Sequence, residues 1–233
     1  MAAAAACGPA GDDRVQASGH DAFWLWAGVR PQPALRSART LYLLDGEIRA
    51  AGAGRYVALR PGLPRLPRPQ IWLVVRTDTL DWPDGTVPAL TARLDRWAAA
   101  GNRTAGLQVD FDANSRGLAR YGAFLRGVRA ALPKRYPLSI TGLMDWSANG
   151  DPAALSELAG TVDEVVVQTY QGRSTIPGYE AWFRRMRGFP IPFKVGLVEG
   201  GLWRAPPGLE SEPRFRGYVV FLVNPPGEAP PRR

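Results

Sequence analysis

Eight short apolar runs, separated by turn residues, set the main limit on what this sequence can fold into. They cover residues 23–27, 41–45, 71–76, 107–112, 138–143, 165–170, 193–198 and 218–223. They are β-branched and nearly continuous in apolar character, the pattern of strands buried on both faces of a parallel sheet. Between the later runs the spacing becomes helical. Val87, Leu90, Leu94 and Trp97 fall at i, i+3, i+7 and i+10, and Leu118, Tyr121, Leu125, Val128 and Leu132 repeat that stripe. Arg116, Arg120, Arg126 and Arg129 fill the wet side of the second stripe. Asp151 and Pro152 open a third helix as N-cap and first residue, and Trp182, Phe183 and Met186 mark a fourth.

Strand and helix in alternation from residue 71 to 198 imply right-handed βαβ units. With eight strands, the expected α/β fold is a compact, irregular (β/α)8 TIM-type barrel, with an open doubly wound sheet as the alternative. The irregularity lies at the two ends. The first third holds an extra strand at 56–59 and a proline-rich stretch at 61–69 without a long helix, and a loop at 200–216 replaces the seventh helix. The domain reading is a disordered leader at 1–21, a single barrel at 22–225 and a disordered tail at 226–233.

Composition removes several chemistries. The net charge is +8, but only Lys134 and Lys194 are lysines, and the arginines run from Arg14 to Arg233 without one dense cluster in the sequence. No nucleic-acid motif accompanies them, so no nucleic-acid partner is expected. With Cys7 and His20 as single representatives, there is no disulfide framework, no CxxC pair and no histidine cluster for zinc. No phosphate-binding or dinucleotide glycine loop and no G-x-S-x-G elbow occurs, and no cofactor is expected. Carboxylate chemistry remains.

The stretch from Gly106 to Asn114 carries that chemistry. Alternation along a strand points Leu107, Val109 and Phe111 one way and Gln108, Asp110 and Asp112 the other, with the two carboxylates roughly 7 Å apart. An apolar strand does not bury two acids on one face without a use for them. In a barrel that face is the interior, and active groups sit at the C-terminal strand ends. Those ends supply Arg76, Asp112, Asn114, Asp145, Trp146, Gln168, Tyr170 and Glu199, to which Trp26 of strand one is added. Acids, amides and aromatics together suit carbohydrate, whose hydroxyls need planar donors and acceptors and whose C–H faces pack on rings. Parity places Gln168, Tyr170 and Lys194 inward, and Lys194 is expected to pair with Asp110 as a structural charge partner.

Leu107-Gln-Val-Asp-Phe-Asp112, Val165-Val-Val-Gln-Thr-Tyr170 and Phe23-Trp-Leu-Trp26 together resemble an uncharacterised bacterial domain family, over most of residues 21 to 225. More distantly, strands four and six resemble the chitinase-like family-eighteen glycoside hydrolases. The resemblance implies a glycoside-hydrolase-like barrel. In those enzymes strand four reads D-x-x-D-x-D-x-E, whose last acid protonates the glycosidic oxygen, and a strand-six tyrosine assists the substrate. Asp110 and Asp112 fall on the last two aspartates, but Leu107 replaces the first and Asn114 stands at the acid position.

The expected function is therefore that of a glycoside hydrolase-like protein acting on a polysaccharide, the catalytic candidates being Asp112, Asp110, Asp145 and Glu199, with Asp110 raising the pKa of Asp112. Arg76, Asn114, Trp146, Gln168, Tyr170 and Trp26 are the substrate-binding candidates. The alternative is a non-catalytic carbohydrate-binding or envelope barrel, and a third reading uses Asp110, Asp112 and Asp145 as oxygen ligands of a metal. Ala2 to Ala6 followed by Cys7 and Gly8 resembles the end of a bacterial lipoprotein signal, which implies lipidation at Cys7 and an extracytoplasmic, membrane-anchored or periplasmic monomer. A disordered alanine-rich tail is the other reading of that segment.

Overall fold

The computed structural model describes residues 13–60, 62–146 and 150–225. Eight parallel strands form the fold: β1 (Ala22–Leu25), β2 (Thr40–Ile48), β3 (Gln70–Thr77), β4 (Arg103–Asp110), β5 (Leu138–Leu143), β6 (Glu164–Gln168), β7 (Phe193–Val198) and β8 (Phe215–Phe221). Each pairs with the next, and β1 pairs with both β2 and β8, so the sheet closes on itself. Closure removes the sheet edges and decides for the barrel over the open sheet.

Among the described residues, helices follow β3 to β6 in turn: α1 (Thr86–Ala99), α2 (Leu118–Ala131), α3 (Pro152–Ala159) and α4 (Tyr179–Arg185). The Asp151 side chain accepts from the Ala153 N–H and caps α3 as its position predicts. Strands β1, β2 and β7 are followed by no α-helix among the described residues. A short strand, Tyr56–Ala58, turns back antiparallel along β2, and the loop between β7 and β8 contains a single 3-10 turn, Leu209–Ser211, in place of a helix. None of the described helices is long and apolar enough to cross a membrane.

Two apolar layers result from strand alternation. Outward residues such as Phe23, Leu43, Leu73, Leu107 and Val165 pack with Leu94, Trp97, Leu125 and Leu158 of the helices. Inward residues, Trp24, Tyr42, Trp72, Val74, Val166 and Val219 among them, fill the barrel. Glycines on inward positions make room for the rings. A Cβ on Gly196 would lie 2.6 Å from the Trp24 ring, and one on Gly106 would lie 2.7 Å from Trp72.

The interior also carries a continuous polar column. Trp24 donates to Gln108 at 2.7 Å, Gln108 to Ser139 at 2.9 Å, and Ser139 to Glu164 at 3.2 Å. Glu164 also accepts from Tyr42 at 2.6 Å and pairs with Lys194 at 3.1 Å, while Lys194 donates to the Tyr42 hydroxyl at 2.9 Å. The expected Lys194–Asp110 pair is thus replaced by Lys194–Glu164. Lys194 stands at the start of β7 and Asp110 at the end of β4, so the two are a strand's length apart along the barrel axis.

A second buried charge ties the helix-poor third to the rest. At a register shift of β2 between Leu44 and Gly46, Asp45 faces the helical layer and is 1% exposed. Arg93 of α1 grips it bidentately at 2.8 and 2.9 Å, Trp97 donates at 3.1 Å, and Tyr56 donates at 2.5 Å. This satisfies both oxygens of a carboxylate that burial alone would make costly.

The leader reading needs correction where the structure describes it. Val15 exchanges backbone hydrogen bonds with Gly200 and Gly201, Val15 and Ala17 are buried, and Asp13 pairs with Arg204 at 2.7 Å. Residues 13–17 are thus tied to the fold through Val15 and Ala17 and through the start of the loop after β7. Cys7, the residue expected to be lipidated, and residues 226–233, expected as a tail, lie outside the described residues.

Candidate functional site

At the C-terminal end of the barrel lies a cavity of about 230 Å3 lined by Trp26, Arg76, Asp110, Asp112, Gln168 and Tyr170, together with Gly172 and Phe221. Below it the space narrows to about 10 Å3 among Trp24, Val74 and Thr141, so the mouth is closed from beneath. Six of the candidates singled out in the sequence are therefore brought together at one opening.

Asp110 ends β4 inside the barrel, 8% exposed, and accepts from Thr141 of β5 at 2.9 Å. Burial raises its pKa to about 6; the Arg76 charge and the Thr141 hydrogen bond oppose the rise, and Asp112 adds to it. The carboxyl that burial raises is thus Asp110, which is taken out of water at the end of β4. Asp112, two residues on, is exposed at the opening. The Arg76 guanidinium lies 4.8 Å above the Trp26 ring. Trp26 meets Phe221 edge-on at 5.5 Å, and Phe221 stacks on Tyr170 at 5.4 Å, so one wall of the cavity is aromatic. Gln168 donates to the Tyr170 carbonyl at 3.0 Å, which fixes the amide beside the ring. Burial holds the Tyr170 phenol well above its usual range.

The other four candidates stand outside this lining. Trp146 is 2% exposed and donates to the Ala113 carbonyl at 2.7 Å, so it buttresses the β4 loop from the core instead of offering a face to a ligand. Asp145 accepts from the Ser115 N–H at 2.9 Å, and its Oδ1 is buried with no partner among the described residues. Asn114 accepts from Gly117 at 3.1 Å and caps the 3-10 turn that leads into α2. Glu199 accepts from Gln32 at 2.9 Å and from the Val223 N–H at 3.3 Å, joining the loops after β1 and β8. All four lie where the strands have ended, and there parity no longer dictates direction. Asp145 does not join Asp110 and Asp112, and the described residues contain no group of three His, Cys, Asp or Glu side chains placed to hold a metal ion.

Two functional-site residues were missed. Phe221 shares the inward face of β8 with Val219, and Thr141 alternates with Ser139 on β5, so both carried the same alternation signal that identified Asp110.

The family model described as a domain of unknown function, DUF3142, matches residues 67–179. No curated protein matches the chain. Among solved structures, the chain is similar to the Bacillus cereus spore cortex-lytic enzyme SleL, with TM-score 0.51 and 15% identity over 76% of this chain and 50% of that one. It is similar also to the chitinase domain of the spore coat protein CotE from Clostridium difficile, with TM-score 0.53 and 12% identity over 78% and 66%. The xylanase and alpha-amylase inhibitor protein XAIP-II from Scadoxus multiflorus gives TM-score 0.53 and 11% identity over 87% and 93%. The chain thus spans half of SleL and 66% of the CotE domain. In sequence the chain is similar to the DUF3142 domain family over residues 67–179, and in fold to these solved structures.

Proposed function

We propose that this barrel binds a polysaccharide by receiving one sugar ring in its C-terminal mouth. The observation that carries the reading is the convergence of an aromatic wall, Trp26, Tyr170 and Phe221, with the planar polar groups of Arg76, Gln168 and Asp112 in one small cavity. Its 230 Å3 equals the liquid volume of about eight waters, the scale of a single pyranose. One arginine faces two acids in this lining, and burial raises one of them to about 6, so the opposite charges partly offset each other. The glycoside-hydrolase-like fold of its structural neighbours supports a saccharide as the ligand class.

Hydrolysis is the second reading, and the raised pKa of Asp110 favours it. A carboxyl titrating near 6 can donate a proton to a leaving oxygen, and Asp112 of the same lining supplies a second carboxyl beside it. Against it, Asn114 replaces the usual acid and is occupied with capping a turn.

The test is a panel of polysaccharides offered to the wild type, Trp26→Ala and Asp112→Asn, following both binding and reducing-end release. Binding without release, weakened by each substitution, supports the first reading. Release abolished by Asp112→Asn with binding retained supports the second, and release that a chelator stops would point to a metal instead. No binding and no release by the wild type would refute both saccharide readings.

A further inference from the structure

The arginines that are scattered in sequence are gathered by the fold at the opposite end of the barrel. A cavity of about 740 Å3 opens there among the strand N-termini, lined by Arg36, Arg39, Arg68, Arg103, Lys194 and Arg216. Asp21 is the one acid in that lining. Lys194 is engaged by Glu164, and Arg39 lies 3.5 Å from Asp21 with both side chains largely exposed.

Arg68, Arg103 and Arg216 have hydrogen bonds to carbonyls and no carboxylate partner among the described residues. Arg103 donates to the Arg68 carbonyl at 3.2 Å, and Arg68 to the Arg36 carbonyl at 3.3 Å. Arg216 donates to the carbonyls of Pro213 and Phe215 at 2.8 and 2.9 Å. These bonds use one Nη of each guanidinium and leave further N–H groups free to face the cavity. Collecting like charges around a concave wall raises the local potential and opposes folding unless an anion offsets it. Guanidinium forks match the oxygens of a phosphate bidentately.

We infer that this cavity is a binding site for a multivalent phosphate-bearing ligand, separate from the mouth and independent of the saccharide reading. Its cations come from the loop before β2 and from the starts of β3, β4, β7 and β8, so the site exists only when the barrel is closed.

The experiment is calorimetric titration of the full chain with pyrophosphate at fixed ionic strength, comparing the wild type with the double variant Arg68→Gln/Arg103→Gln. A control variant, Arg120→Gln/Arg126→Gln, removes the same charge from the exposed face of α2. The expected result is saturable binding to the wild type and control, weakened roughly tenfold or more in the cavity variant. Equal weakening in cavity and control variants would mean diffuse charge attraction and overturn the site, as would absence of saturable binding both to pyrophosphate and to vesicles. Vesicles of phosphatidylglycerol, with phosphatidylcholine as reference, separate the source of the phosphate. Vesicle binding that only the cavity variant loses assigns it to a lipid headgroup, and pyrophosphate binding without vesicle binding assigns it to a soluble ester. All proteins are checked by circular dichroism for an unchanged fold.

Discussion

Replacing Asp110 with asparagine should stabilise this protein at neutral pH and leave it unchanged in acid. Its carboxyl titrates at about 6 in the folded chain against 3.8 for the free group. Between these values the native state holds a proton that the unfolded chain has released, so stability falls as pH rises from about 4 to about 6. A shift of about two units is worth about 3 kcal/mol, fully lost to the wild type above that window. The attraction of Arg76 and the Thr141 hydrogen bond are already contained in that net shift. Asparagine keeps the shape and still accepts from Thr141, but it never ionises. Urea denaturation followed by tryptophan fluorescence, at pH 4 and pH 7.5, reads the difference, and the titration of carboxylates remote from Asp110 cancels between the two proteins. Asp110→Asn should exceed the wild type by about 2–3 kcal/mol at pH 7.5 and match it at pH 4. A variant less stable at pH 7.5, or a gap equal at both values, would refute the claim that burial controls this group.

Other perturbations address the scaffold. Asp45→Ala strands the buried Arg93 and should cost about 3–5 kcal/mol, read as a lowered denaturation midpoint with unchanged slope. Lys194→Met leaves Glu164 unpaired in the barrel and should cost about 3 kcal/mol at neutral pH, a loss that adding Glu164→Gln largely restores. Arg126→Met breaks only an exposed pair and should change stability by no more than about 0.5 kcal/mol in the same assay. Gly196→Ala forces the Trp24 ring from its place beside Gln108 and should cost about 1–3 kcal/mol, with a shifted fluorescence maximum as a second readout.

Where a side chain sits within a strand or a long helix, the sequence spoke clearly. Period-two alternation assigned Gln108, Asp110, Gln168 and Lys194 to the interior, and the 3.6-residue stripes of α1 and α2 were visible because their apolar faces are continuous. Failure in direction is confined to residues past the strand ends. Asp145, Trp146, Asn114 and Glu199 occupy turns whose direction depends on backbone partners such as Ala113, Ser115, Gly117 and Val223, and no periodic signal encodes those contacts. Axial position was the other weakness. Parity told which face Lys194 takes but not which end of the barrel, so its pairing with Glu164 required knowing that β7 begins at Phe193 beside Val165 of β6. The basic cavity escaped for a related reason, since its arginines are dispersed along the chain and become neighbours only through closure.

The packed column of Trp24, Gln108, Ser139, Glu164, Tyr42 and Lys194 makes the barrel a plug instead of a tube. A polymer cannot thread through it, and whatever enters the mouth must leave by the same opening. On the proposed saccharide reading, a dead end one ring deep would count chain termini and branches more readily than chain length. At equal mass, a polysaccharide cut into shorter pieces would then offer this protein more places to hold.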